Sequence, residues 1–146
     1  TLFKYHRSFL FLILCIALIP LEMGSLKAIF FKSRPEQVFE FGGNMPHVRL
    51  FQFLWNEPDA TNWPGGHASG GAALLSLYFP LRQKSRKWGY LALVIALSYW
   101  FMMSWTQVMR GQHFMSHNLW TLWFSWLTIL LIHQKCFKAR LFPRDF

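Results

Sequence analysis

Formal charge is missing from four long stretches of the 146-residue sequence, and that pattern limits the fold more tightly than any motif. Phe9 to Leu21 carries none, and the apolar run continues past Glu22 to Leu26. Ala68 to Leu81, Trp88 to Met109 and His117 to Gln134 are likewise free of Asp, Glu, Lys and Arg. A helix needs about 20 apolar residues to cross a bilayer, within a range of roughly 17–25. The third and fourth stretches meet that length, and the first meets it if Glu22 faces protein or water. The second is short and borrows flanking residues such as Trp63 to His67. Composition agrees: 53% of residues are hydrophobic and 14% are charged, where a soluble domain carries roughly 25% charged residues. A buried core helix of a soluble domain would account for one such run, not for four in so short a chain. The sequence predicts an all-α, polytopic membrane helix bundle in one domain over 1–146, with helices at about 9–26, 67–81, 88–109 and 117–134.

The net charge of +9 resembles nucleic-acid chemistry until its position is read. Lys4 and Arg7 precede the first helix, Arg82, Lys84, Arg86 and Lys87 join the second and third, and Lys135, Lys138, Arg140 and Arg144 follow the fourth. Those ten basic residues meet one acidic residue, Asp145. On the other side Lys27, Lys32, Arg34, Arg49 and Arg110 are offset by Glu36, Glu40, Glu57 and Asp59. The positive-inside rule then puts both termini in the cytoplasm and the loops 32–66 and 110–116 outside. The basic runs are topology signals, and no nucleic-acid partner is expected.

The first helix lacks the small-residue cleavage site of a secretory signal peptide. Cys15 and Cys136 match no metal-site spacing and read as structural. Glu22, with Gly24 and Ser25 nearby, reads as polar glue between helices. Gly42-Gly43, Pro46, Pro58 and Pro64-Gly65-Gly66 break up the long outer loop. Its residues Phe51, Phe53, Leu54 and Trp55 are apolar enough to lie in the membrane interface. His6, His47 and His133 read as ordinary interfacial histidines.

Several polar residues converge on the outer side. Lys27 ends the first helix, and Arg34-Pro35 follows after six intervening residues. Pro64-Gly65-Gly66-His67 opens the second helix, and Arg110, His113 and His117 cluster between the third and fourth. A Gly-Gly turn at a helix N-terminus directs backbone N–H groups at an anion, and the helix dipole favours negative charge there. Lys and Arg clamp phosphoryl oxygens, and a histidine can attack phosphorus.

These residues resemble the signature of the type-2 phosphatidic acid phosphatase superfamily of integral membrane lipid phosphatases. That signature reads Lys, six residues, Arg-Pro; then Pro-Ser-Gly-His; then Ser-Arg, five residues, His, three residues, Asp. Lys27 with Arg34-Pro35 fits the first part, and Pro64-Gly65-Gly66-His67 fits the second with Gly65 in place of Ser. In the third, His113 falls at the His, His117 at the Asp and Gln107 at the Arg, with Arg110 three residues nearer the His. The resemblance covers about Lys27 to Trp120. Family members have six transmembrane helices with the motifs in the last four, which implies two helices upstream.

The resemblance implies a hydrolase acting on a lipid phosphate or diphosphate that approaches from the outer leaflet, in a bacterial inner membrane. His113 would attack phosphorus to give a phosphohistidine, and His67 would protonate the leaving oxygen and then activate water. His117 would replace the carboxylate that orients the nucleophile, accepting its N–H as a neutral imidazole. Lys27, Arg34, Arg110 and the N–H of Gly66 would bind the phosphate. Because residues three apart on a helix are neighbours, Arg110 could serve for the missing Arg at Gln107. No metal or other cofactor is implied. Other readings are transfer of the phosphoryl group to a second lipid, a catalytically inactive lipid-binding relative, and a four-helix haem protein, the last disfavoured because these histidines sit at the bundle's edge.

Overall fold

The computed structural model describes residues 2–49, 52 and 60–137, with side chains from residue 6 onward. The interfacial segment expected at Phe51, Phe53, Leu54 and Trp55, and the basic residues Lys138, Arg140 and Arg144, lie outside the described residues. Everything described is helix or loop: α1 (Leu2–Ile29), α2 (Gly66–Ala73), α3 (Tyr78–Lys84), α4 (Arg86–Met109) and α5 (Met115–Phe137). Isolated bridges join Lys32 to Thr61 and Val38 to Met45.

Among the described residues two helices are long and apolar enough to cross a membrane, over His6–Ile29 and Arg86–Met109. Only 22% and 28% of their apolar windows are buried, so most of each apolar surface is left uncovered by the described residues. On α1 the buried residues Phe11, Cys15, Ile19 and Met23 recur every fourth position, while Phe9, Ile13, Ile16 and Leu21 are exposed. That is one packed stripe on a helix apolar all round. α5 has the opposite make-up on its inner face, where His117, Asn118, Thr121 and Ser125 are buried and Leu119, Trp123 and Leu127 are exposed. Inward polar groups join helices directly: Thr128 donates to the Glu22 carboxylate at 2.7 Å, linking α5 to α1.

The structure corrects the single helix expected over 67–81. Here α2 stops at Ala73, a 3₁₀ segment runs Leu74–Leu77, and α3 completes the stretch to Lys84. The cause is local packing of small residues. Ala68, Ser69, Gly71, Ala72 and Ala73 are all buried, and a Cβ on Gly71 would come within 2.7 Å of the Trp100 backbone. α2 is thus pressed against α4 at the bundle centre, with α1 and α5 on its other sides. Cys15 is buried in the core cluster that Cys136 also packs against, and both thiols are free.

Candidate active site

Lys27 in the last turn of α1, Gly66 and His67 at the start of α2, and His117 in the first turn of α5 meet at one end of the bundle. The Lys27 ammonium lies against the opening turn of α2: a Cβ on Gly66 would stand 3.3 Å from both its Cε and Nζ. The first N–H groups of a helix lack partners within it, and the dipole there is positive. A cation set beside such a terminus repels it unless an anion lies between them. Phosphate, with several acceptor oxygens, fits that demand.

Arg34 is positioned by the opposite loop. Its guanidinium pairs with Glu36 at 2.7 Å and donates to Gln112 Oε1 at 3.0 Å. Gln112 Nε2 in turn donates to Glu36 at 3.0 Å, closing a ring of three side chains. The backbone repeats the link, with the N–H of Glu36 donating to the Gly111 carbonyl. The ring ties the Arg-Pro loop to the loop bearing His113. Buried Arg34 Nε has no hydrogen-bond partner within the protein, which leaves one N–H for a ligand.

His113 and His117 are both buried, at 3% and 6% exposure, with ring centroids 6.0 Å apart. The relay expected between them is not formed. His117 Nδ1 pairs with the Asn62 carbonyl at 3.1 Å, and His113 Nδ1 is buried without a hydrogen-bond partner. The backbone carbonyl of Asn62, not His117, is the hydrogen-bond partner of the His113 ring. Burial pushes the His113 imidazole down from its ordinary 6.5 to about 4; the positive charge of Lys27 adds to this and the Asn62 carbonyl opposes it. His113 is therefore a neutral imidazole at physiological pH, the form with a lone pair to attack an electrophile.

Gly65 is explained by its neighbour on α5. A Cβ there would stand 2.0 Å from Asn118 Oδ1 and 3.1 Å from Asn118 Cγ. Asn118 fills the volume that a serine at 65 would take, and its Nδ2 donates to the Ser104 carbonyl at 3.2 Å. The turn is then strapped to α5 at both ends of one residue. Gly65 N–H donates to the His117 carbonyl at 3.2 Å, and Thr121 Oγ1 donates to the Gly65 carbonyl at 2.9 Å.

The remaining expected residues are placed less centrally. His67 is exposed on the first turn of α2, and its charge bears on His113. Gln107 is buried, and its carbonyl accepts from the N–H of Gln112 at 2.9 Å. Arg110 follows α4 with an exposed side chain, so the structure does not bring it into the buried group in place of the missing Arg. Sequence reasoning missed Asn62, Gln112, Glu36 and Asn118. The glycine in the serine position was the available signal for Asn118, since a lost side chain in a packed turn leaves a volume to fill. Among the described residues no three of His, Cys, Asp and Glu converge as a metal site would require.

Comparison with known proteins gives one family. The model of the PAP2 superfamily matches residues 8–141, which include every candidate site residue. No curated protein and no solved structure matches the chain. The chain belongs to the PAP2 superfamily, whose members are phosphatases and phosphotransferases acting on phosphate esters.

Proposed function

We propose that this protein is an integral membrane lipid phosphatase whose site faces outward, toward the periplasm of a bacterial inner membrane. The observation that carries this reading is the Lys27 ammonium against the α2 N-terminus, with buried His113 beside it. The membrane setting is supported by the exposed apolar faces of α1 and α4 and the inward polar face of α5. In this reading α1, the stretch Gly66–Lys84, α4 and α5 are four spans, and the basic residues at their opposite ends orient them.

The chemistry proceeds in two displacements. A neutral ring nitrogen of His113 attacks phosphorus, and the bond from phosphorus to the lipid oxygen breaks. His67, protonated, gives its proton to that oxygen, so the lipid alcohol leaves. Neutral His67 then takes a proton from water, whose oxygen attacks the phosphohistidine. The N–P bond breaks, inorganic phosphate leaves, and His67 is again protonated. Lys27, Arg34 and the N–H of Gly66 hold the equatorial oxygens, where charge builds in the transition state. Arg110 adds a cation at the rim.

Phosphate release from phosphatidic acid and from lipid diphosphates, measured in detergent micelles, tests the reading. Lys27→Ala should lower kcat/KM by roughly a hundredfold, as removal of one oxyanion donor does, and exposed Arg110→Ala by about tenfold or less. Release from none of these lipids would favour an inactive lipid-binding relative.

The pH profile checks the state of His113. Its folded value lies below that of a free imidazole, so the neutral nucleophile persists as pH falls from 6.5 toward 4. The acidic limb of kcat/KM should therefore centre near pH 4. An acidic limb at 6.5 would show that the nucleophile is not the buried ring. The same shift costs stability, because the unfolded chain binds the proton first as pH drops below 6.5.

A further inference from the structure

Beyond the phosphate site, a cavity of about 260 Å³ opens on the far side of His117. Lys32, His47, Arg49, Phe114 and Trp120 line it with His117, and no described carboxylate does. The Lys32 ammonium is fixed there by the carbonyls of Arg49 and Gln52 at 2.7 and 3.0 Å. His47 packs edge-on against Phe114, with centroids 5.4 Å apart. The wall thus combines two cationic side chains, Lys32 and Arg49, with aromatic rings.

The cavity shares part of its lining with a neighbouring groove. Ser116 and Trp120 also line an apolar groove with Leu119 and Trp123. Leu119 and Trp123 in turn line a second groove, of about 400 Å³, with Leu93, Leu97 and Trp126. That lower groove is lined from both α4 and α5, and Leu75 of the 3₁₀ segment lines it as well. Along α5, Ser116, Leu119, Trp120, Trp123 and Trp126 lie on one face by their spacing of three and four. Ten residues of helix rise about 15 Å, half of a hydrocarbon core about 30 Å thick. The face runs from a basic pocket down the depth of one leaflet.

We propose that this face is a lipid track: the anionic headgroup of one phospholipid sits in the cavity beside His117, and its hydrocarbon chain lies in the groove between α4 and α5. The proposal deepens the lipid phosphatase reading by naming the face from which the substrate reaches the site. A headgroup carrying phosphate matches the cationic Lys32 and Arg49, and the residues shared between cavity and groove distinguish this face from the other exposed apolar surfaces. A second copy of the chain, or further helices of the same protein, would instead cover the groove and exclude a chain.

The test uses the full chain in phosphatidylcholine bilayers with a trace of phosphatidic acid bearing a photoreactive diazirine in mid-chain. After irradiation, adducts are mapped by mass spectrometry, and phosphate release is measured in the same preparation. Adducts should concentrate between Leu119 and Trp126 of α5 and on the facing Leu93–Leu97 segment. Excess unlabelled phosphatidic acid should suppress them, and excess phosphatidylcholine should not. Arg49→Gln, at an exposed position, should weaken that competition by about fivefold, the effect of one basic side chain at a membrane surface. Adducts spread evenly over the exposed faces of α1 and α4, adducts indifferent to phosphatidic acid, or none on α5 would overturn the track. Because crosslinking does not need turnover, adducts on α5 without phosphate release would instead count against the phosphatase reading alone.

Discussion

His113→Ala should fold as the wild type does and lose phosphate release by roughly a thousandfold or more, the scale on which enzymes lose their nucleophile. His113 lies in the short connection between α4 and α5; its Nδ1 makes no hydrogen bond and its ring's backbone partner is the loop residue Asn62, so the ring holds no helix in place. Unchanged thermal unfolding together with lost turnover is the expected pair of results. His117→Ala should behave differently, because its ring anchors the Asn62 carbonyl and lines the neighbouring cavity. It should lower stability and substrate binding as well as turnover, whereas a carboxylate-like relay would lower turnover alone.

The second large effect concerns the α2 turn. Gly65→Ser should destabilise the protein by about 1–3 kcal/mol, the usual cost of overpacking a tight core site. The serine Cβ meets Asn118 Oδ1 and Cγ, and Asn118 is fully buried. The displaced turn would also move Gly66 and its N–H away from Lys27, so turnover should fall with stability. Asn118→Ala in the same chain should relieve the clash. The double variant is expected to unfold at a higher temperature than Gly65→Ser alone and to regain much of its activity. A cycle of the two single variants and the double should show coupling of at least about 1 kcal/mol, since contacting residues are not additive. Additive losses would mean that Asn118 does not occupy the serine position.

Helix placement was largely legible because it depends on charge-free length. The helices expected over 88–109 and 117–134 are present as Arg86–Met109 and Met115–Phe137. α1 begins earlier than expected, since Lys4 and Arg7 sit within a helix end without breaking it. The 67–81 stretch was not legible as three pieces, because its small residues pack against α4, a segment distant in sequence, as Gly71 does against Trp100. The motif residues on helix ends were legible for the same reason as the helices. Lys27, Gly66, His67 and His117 share an end of the bundle once the helices alternate in direction. What remained hidden are contacts across long separations. The Arg34–Glu36–Gln112 ring joins residues 78 apart, and Asn118 meets Gly65 across the bundle. His117 sits where the family has a carboxylate, yet a loop carbonyl takes up its Nδ1, and only the folded loop shows that.

The central claim is that phosphate passes through His113. Wild-type protein mixed with phosphatidic acid bearing radiolabelled phosphate, then quenched under alkaline denaturing conditions within milliseconds, should carry label on one histidine-containing peptide, that of His113. The label should be lost on mild acid treatment, as a phosphoramidate is, and should be missing from His113→Ala. Steady phosphate release with no label at any quench time, or label retained in His113→Ala, would contradict the account.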